Sequence, residues 1–164
     1  MDLEQLKKSF LKKFQEDTSD RLQKIQLGVL DLEKPDAEQA ADAVARELHT
    51  MKGEARILGL AAIGQLAHAA EDLLKVAREG KVSARIATDL LLRSCDAVQD
   101  LIDDPESAKT GTSAAEEMCL RLAEASGYDV PALKPGAPGI QAPKPTAAVA
   151  APAVKPASAR PEPV

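Results

Sequence analysis

At 164 residues the chain has room for one domain and something further, and a net charge of −5 with only 2% aromatic residues provides no basic, aromatic-studded stripe for nucleic acid. No run approaches the roughly 18 apolar residues that span a bilayer, and the charged stretch over residues 1–13 carries no secretory core, so a cytoplasmic protein without a membrane partner is expected. Apolar residues make up 45% of the chain, mostly Ala and Leu, which supplies a core and favours helices over strands.

The first helix is predicted over residues 3–32. Leu3, Leu6, Phe10, Phe14, Leu22, Ile25, Val29 and Leu32 recur every three or four positions, with Thr18 at the one polar step and the Phe10/Phe14 pair assigned to the core. Pro35 ends it. Asp36 then opens the second helix, with Gln39 three residues on as in a capping box, and the helix runs to Leu58 with Gly59 as its stop. The third covers about 61–79, with Ile63, Leu66, Ala67, Ala70, Leu73, Leu74 and Ala77 inward and Gly80 at its end. Ser83 caps a fourth over about 84–103, with Ile86, Leu90, Ala97, Val98, Leu101 and Ile102 inward, and Asp104-Pro105 breaks it. Ser113-Ala-Ala-Glu116 reads as the capping box of a short fifth helix to Ser126, closed by Gly127. Short connections force antiparallel neighbours. The expected fold is all-α: an up-down four-helix bundle over residues 1–127 with a short C-terminal helix packed on it.

After Tyr128 the composition changes. Nine of the eleven prolines lie beyond it, among Ala, Val and Lys, so residues 128–164 are predicted to be a disordered Pro/Ala-rich linker, part of something longer. Four basic and two acidic residues give that tail +2, which leaves −7 on residues 1–127. Cys95 and Cys119 show no metal or CxxC spacing and are read as reduced, buried or half-buried thiols.

The second helix carries the chemistry. Ala37, Ala41, Val44, Leu48, Met51, Ala55 and Leu58 form one apolar stripe. His49 sits about 100° around the helix from Leu48, outside that stripe. Lys52, Gly53 and Arg56 follow at i+3, i+4 and i+7, on the face of His49. Gly53 costs a helix roughly 1 kcal/mol against Ala, and leaves bare backbone where a large partner can approach. Counted from the turn at Gly59, His49 lies ten residues before and His68 nine after, so both stand at nearly one height, roughly 14 Å from the turn. Glu71 is one turn beyond His68. Two imidazoles, an ammonium and a carboxylate at one spot suit a reversible phosphoryl carrier. A neutral imidazole nitrogen is a competent nucleophile near pH 7, the other ring nitrogen needs an acceptor to fix its tautomer, and phosphoryl transfer asks mainly for position and charge neutralisation. Lys52 is placed to lie toward the added phosphoryl oxygens.

His49-x-x-Lys52-Gly53-x-Ala55-x-x-x-Gly59 resembles the signature of histidine phosphotransfer (HPt) domains, and His68-x-x-Glu71 resembles the companion pair in the P1 domain of CheA-type chemotaxis kinases. The resemblance covers about residues 3–125. The tail resembles the linker that follows P1, and its Pro/Ala-rich style is similar to that of the Frz kinases of gliding motility. The resemblance implies that His49 accepts phosphate from ATP, delivered by a separate ATP-binding domain of a histidine kinase, and yields it to an aspartate of response-regulator receiver domains. It further implies that Glu71 and His68 hydrogen-bond around His49 with Lys52 assisting. Gly53 and Arg56 are the candidates for partner docking, and Glu54 stands where many members carry Gly or Ser. ATP is assigned to that separate domain, because the chain has no Gly-x4-Gly-Lys-Ser/Thr loop and no Gly-rich lid, so the chain alone is not expected to be an enzyme. A metal site is not expected, since di-iron bundles repeat Glu-x-x-His and here the order is reversed and single. Two alternatives stand beside this: an HPt unit of a multi-step relay, or a helical adaptor without phosphate chemistry. A monomer is expected.

Overall fold

The computed structural model describes residues 2–127; the linker predicted over 128–164 lies outside them. The elements are α1 (Leu3–Leu30) with a single 3-10 turn (Asp31–Glu33), α2 (Ala37–Ile57), α3 (Ala61–Arg78), α4 (Ala84–Asp103), α5 (Pro105–Thr110) and α6 (Ser113–Ser126). No strand occurs among the described residues. Helices α1 to α4 form an antiparallel bundle in which α1 packs on α2 and α4, α3 packs on the same two, and α6 lies against α3 and α4. The all-α bundle read from the sequence is therefore the fold.

The core is aliphatic, with Ile25 and Val29 of α1, Val44 and Met51 of α2, Ile63, Leu66 and Leu73 of α3, Leu91 and Leu101 of α4 and Leu122 of α6 all fully buried. The five interior members of the predicted α2 stripe, Ala41, Val44, Leu48, Met51 and Ala55, are buried. Two close contacts set the spacing of α2. A Cβ added at Gly28 of α1 would meet Val44 Cγ2 at 2.6 Å, so glycine there lets α1 and α2 approach. At the other end Gly59 adopts φ +74°, and the Leu60 N–H reaches back to Ala55 O at 2.8 Å while Gly59 N–H bonds Arg56 O at 3.1 Å. That is a Schellman stop, with buried Leu60 as its apolar contact. It turns α3 antiparallel to α2 within three residues and so fixes which side chains of the two helices meet.

Several expectations are corrected. Leu3, Leu6 and Phe10 are exposed, Phe10 by 54%, and only Phe14 of the phenylalanine pair enters the core. The Gln15 side-chain amide donates to Ile102 O near the end of α4, so the first turns of α1 run past the helix that would cover them. Ile86 is 53% exposed, whereas Ala87 and Leu91 are fully buried; the inward stripe of α4 begins one residue later than predicted. Pro105 does not merely break α4 but starts α5, with the Asp104 carboxylate accepting from the Glu106 N–H at 3.2 Å. Asp36 makes no side-chain cap, because its backbone (φ −100°, ψ 38°) lacks the extended shape that turns a capping side chain back. Ser83 does cap α4, whereas α6 is capped by Thr112 rather than Ser113, since Thr112 is the extended residue. Cys95 is buried and Cys119 half-buried, both free, and burial pushes each thiol up to about 12.

Candidate functional site

His49 projects from the wall of the bundle. Leu48 beside it is 4% exposed, whereas the His49 side chain is 74% exposed. The predicted partner Glu71 reaches it from α3, with His49 Nδ1 3.0 Å from Glu71 Oε1. The second Glu71 oxygen forms an ion pair with the Lys52 ammonium, and both of these side chains are largely buried. The carboxylate thus faces the ring with one oxygen and the lysine with the other. A deprotonated carboxylate can only accept, so the proton of a neutral His49 ring is held on Nδ1. That leaves the Nε2 lone pair free on an exposed imidazole.

Two expectations about the neighbours change. Lys52 lies against Glu71 rather than free beside the His49 ring, because an ammonium with a carboxylate in reach is better neutralised there. His68 does not hydrogen-bond His49. Its Nε2 lies 3.5 Å from Asp72 Oδ2, one turn along its own helix, and its buried Nδ1 has no partner. Equal height on two helices does not fix rotamers, and the i,i+4 carboxylate takes the ring. Burial and the adjacent Glu71 raise the Asp72 carboxyl above the ordinary value, against the pull of His68 and Lys52. The i,i+4 spacing of His68 and Asp72 already allows this local pair in the sequence, although it gives Asp72 no part in the site itself.

The docking candidates lie on open surface. A Cβ at Gly53 would meet nothing within 4 Å, and Arg56 is exposed beyond it. Glu54, the residue that departs from the usual pattern, is folded back onto α1. Arg21 Nη2 holds both of its oxygens at 3.2 Å, and Nη1 holds Glu47 Oε2 at 2.8 Å. Among the described residues no helix is long and apolar enough to cross a membrane.

The Hpt domain family matches residues 9–125. Over 133 residues the chain is 68% identical to a gliding motility regulatory protein of Myxococcus xanthus, covering 81% of this chain and 17% of that protein. It is 33% identical to the chemotaxis protein CheA of Treponema pallidum (86% of this chain, 18% of the relative) and 31% to that of Salmonella typhimurium (76% and 20%). The chain spans a fifth or less of the length of these relatives. With a helical bundle, an exposed histidine and a family match over most of its length, the chain belongs to the Hpt-domain family of histidine phosphotransfer domains.

Proposed function

We propose that His49 is the phosphoacceptor of a chemotaxis-type kinase, working in the cytoplasm between a separate ATP-binding kinase domain and the receiver domains of response regulators. The observation that carries this is the 3.0 Å contact between His49 Nδ1 and Glu71 on a ring that stays 74% exposed. Nε2 attacks the γ-phosphorus of ATP held by the kinase domain. The N–P bond forms, the bond to the bridging oxygen breaks, and ADP leaves with that electron pair. No proton has to leave Nε2 first, because the ring proton is on Nδ1. The positive charge that develops on the ring faces the Glu71 carboxylate. In the second step a receiver aspartate attacks the same phosphorus, the N–P bond breaks, and Nε2 regains its lone pair. Lys52 acts through Glu71, holding the carboxylate in position, and Gly53 and Arg56 border the approach.

The experiment mixes the purified chain with the ATP-binding core of such a kinase and labelled ATP. Wild type takes up acid-labile, base-stable phosphate, and His49→Gln takes up none while its helical circular dichroism and melting are unchanged. Equal labelling of His49→Gln overturns the assignment.

A further inference from the structure

On α3, His68 has a carboxylate at both i+3 and i+4, those of Glu71 and Asp72. Glu71 is already shared: one oxygen lies 3.0 Å from His49 Nδ1, and the other pairs with Lys52. His68 turns to the second carboxylate, with Nε2 3.5 Å from Asp72 Oδ2, and both side chains are mostly buried. Its Nδ1 is buried and has no hydrogen-bond partner among the described residues. The cleft that holds this pair is bordered by charges of both signs, Glu38 and Lys52 from α2 with Lys75, Arg78 and Glu79 from α3 and its end. None of them hydrogen-bonds Nδ1. That nitrogen decides where the protons lie. A proton on it would be a buried donor without an acceptor, which native structures avoid more strictly than a bare lone pair. A neutral His68 therefore carries its proton on Nε2, and Asp72 is the ionised acceptor facing it.

Resting on the function proposed above, we propose that Asp72 is a positioning residue for the transfer: by holding His68 it keeps that ring off Glu71, whose two oxygens stay with His49 and Lys52. His68 and Glu71 are i,i+3 neighbours on one face of α3, so Glu71 is the carboxylate left in reach once Asp72 is gone. A donor from His68 on Glu71 competes with the Nδ1 proton of His49 for the same acceptor. An imidazole that loses the acceptor fixing its tautomer also populates the form protonated on Nε2. In that form Nε2 has no lone pair with which to attack phosphorus. Asp72 thus acts at one remove, through His68 and then Glu71, on which nitrogen of His49 is nucleophilic.

The test places Asp72→Ala in the wild-type chain and in a His68→Ala chain, and reads two quantities. The first is the His49 tautomer, from the ring nitrogen-15 shifts of the unphosphorylated chain at about pH 8.5, above the ordinary imidazole range. The second is the rate of phosphate uptake from the ATP-binding core of a chemotaxis-type kinase with labelled ATP. With His68 present, Asp72→Ala is expected to move His49 from the Nδ1-protonated form toward a mixture and to slow uptake roughly three- to tenfold. In the His68→Ala chain the same substitution shifts neither the tautomer nor, by more than about twofold, the rate. Slower uptake without a change of tautomer, or a loss of equal size with and without His68, assigns Asp72 a merely structural role and overturns the proposal. An Asp72→Ala chain that matches wild type in both readouts overturns it as well. A wild-type chain that takes up no phosphate strikes the function proposed for His49 instead, while the tautomer, read without phosphate, still decides whether Asp72 governs that ring.

Discussion

Leu48 and His49 are neighbours in sequence and opposites in environment. The inner face of α2 is Ala41, Val44, Leu48, Met51 and Ala55, all buried. The outer face is His49, Gly53 and Arg56, with water in front of them. The inner face holds the helix in place through apolar burial, and a change there acts on the whole fold. The outer face contributes little to stability and can be specified by chemistry alone. Glu71 and Lys52 join the two. Their side chains are mostly buried between α2 and α3, yet their charges serve an exposed ring. For the function proposed above, a site built this way would need no pocket of its own.

The largest test of this contrast is Met51→Ala. The side chain is fully buried, so truncation should cost about 2–5 kcal/mol of stability, seen as a lower midpoint in urea. Well below the melting temperature the variant should still accept phosphate at His49. Loss of labelling in a folded Met51→Ala protein would show that the two faces are not separable.

Glu71→Ala sharpens the comparison from the other side. Phosphoryl acceptance should fall about 10–100-fold, the size of effect seen when a histidine that binds a metal loses the hydrogen-bond partner that orients its ring. Stability should fall less than for Met51→Ala, because the freed Lys52 ammonium can extend to water. A rate within twofold of wild type would mean that His49 needs no help to present Nε2.

Gly28→Ala gives the smallest effect. The new Cβ would lie 2.6 Å from Val44 Cγ2, on a buried side chain with a stiff χ1. Overpacking costs about 1–3 kcal/mol, offset by about 1 kcal/mol of helix propensity. A net loss of about 1 kcal/mol is expected in a denaturant titration, with phosphorylation unaffected. A gain in stability would show that α1 and α2 can separate freely.

Much of this was legible in the chain because period and punctuation agree. The α2 stripe names its own buried face, Gly59 marks the turn, and His49 falls off the stripe by one residue. What remained hidden has physical causes. Periodicity states which face of α1 is apolar but not how far its neighbours extend, so it carries on through Leu3, Leu6 and Phe10 although the core ends before them. In α4 the larger Ile86 drew the stripe toward itself, although the close-packed position is the small Ala87. A proline after a helical run reads as a stop, whereas Asp104-Pro105 is an N-cap followed by the first helical residue. Register gave the height of His68 correctly enough to place it near the site, but rotamers are decided locally, and Asp72 was nearer.

The most direct measurement is a nitrogen-15 and phosphorus-31 correlation on the phosphorylated chain, which reports the nitrogen that carries the phosphoryl group. The geometry predicts a single phosphohistidine at His49, bonded through Nε2, with Nδ1 still protonated toward Glu71. Phosphate on Nδ1, or on His68, would contradict it.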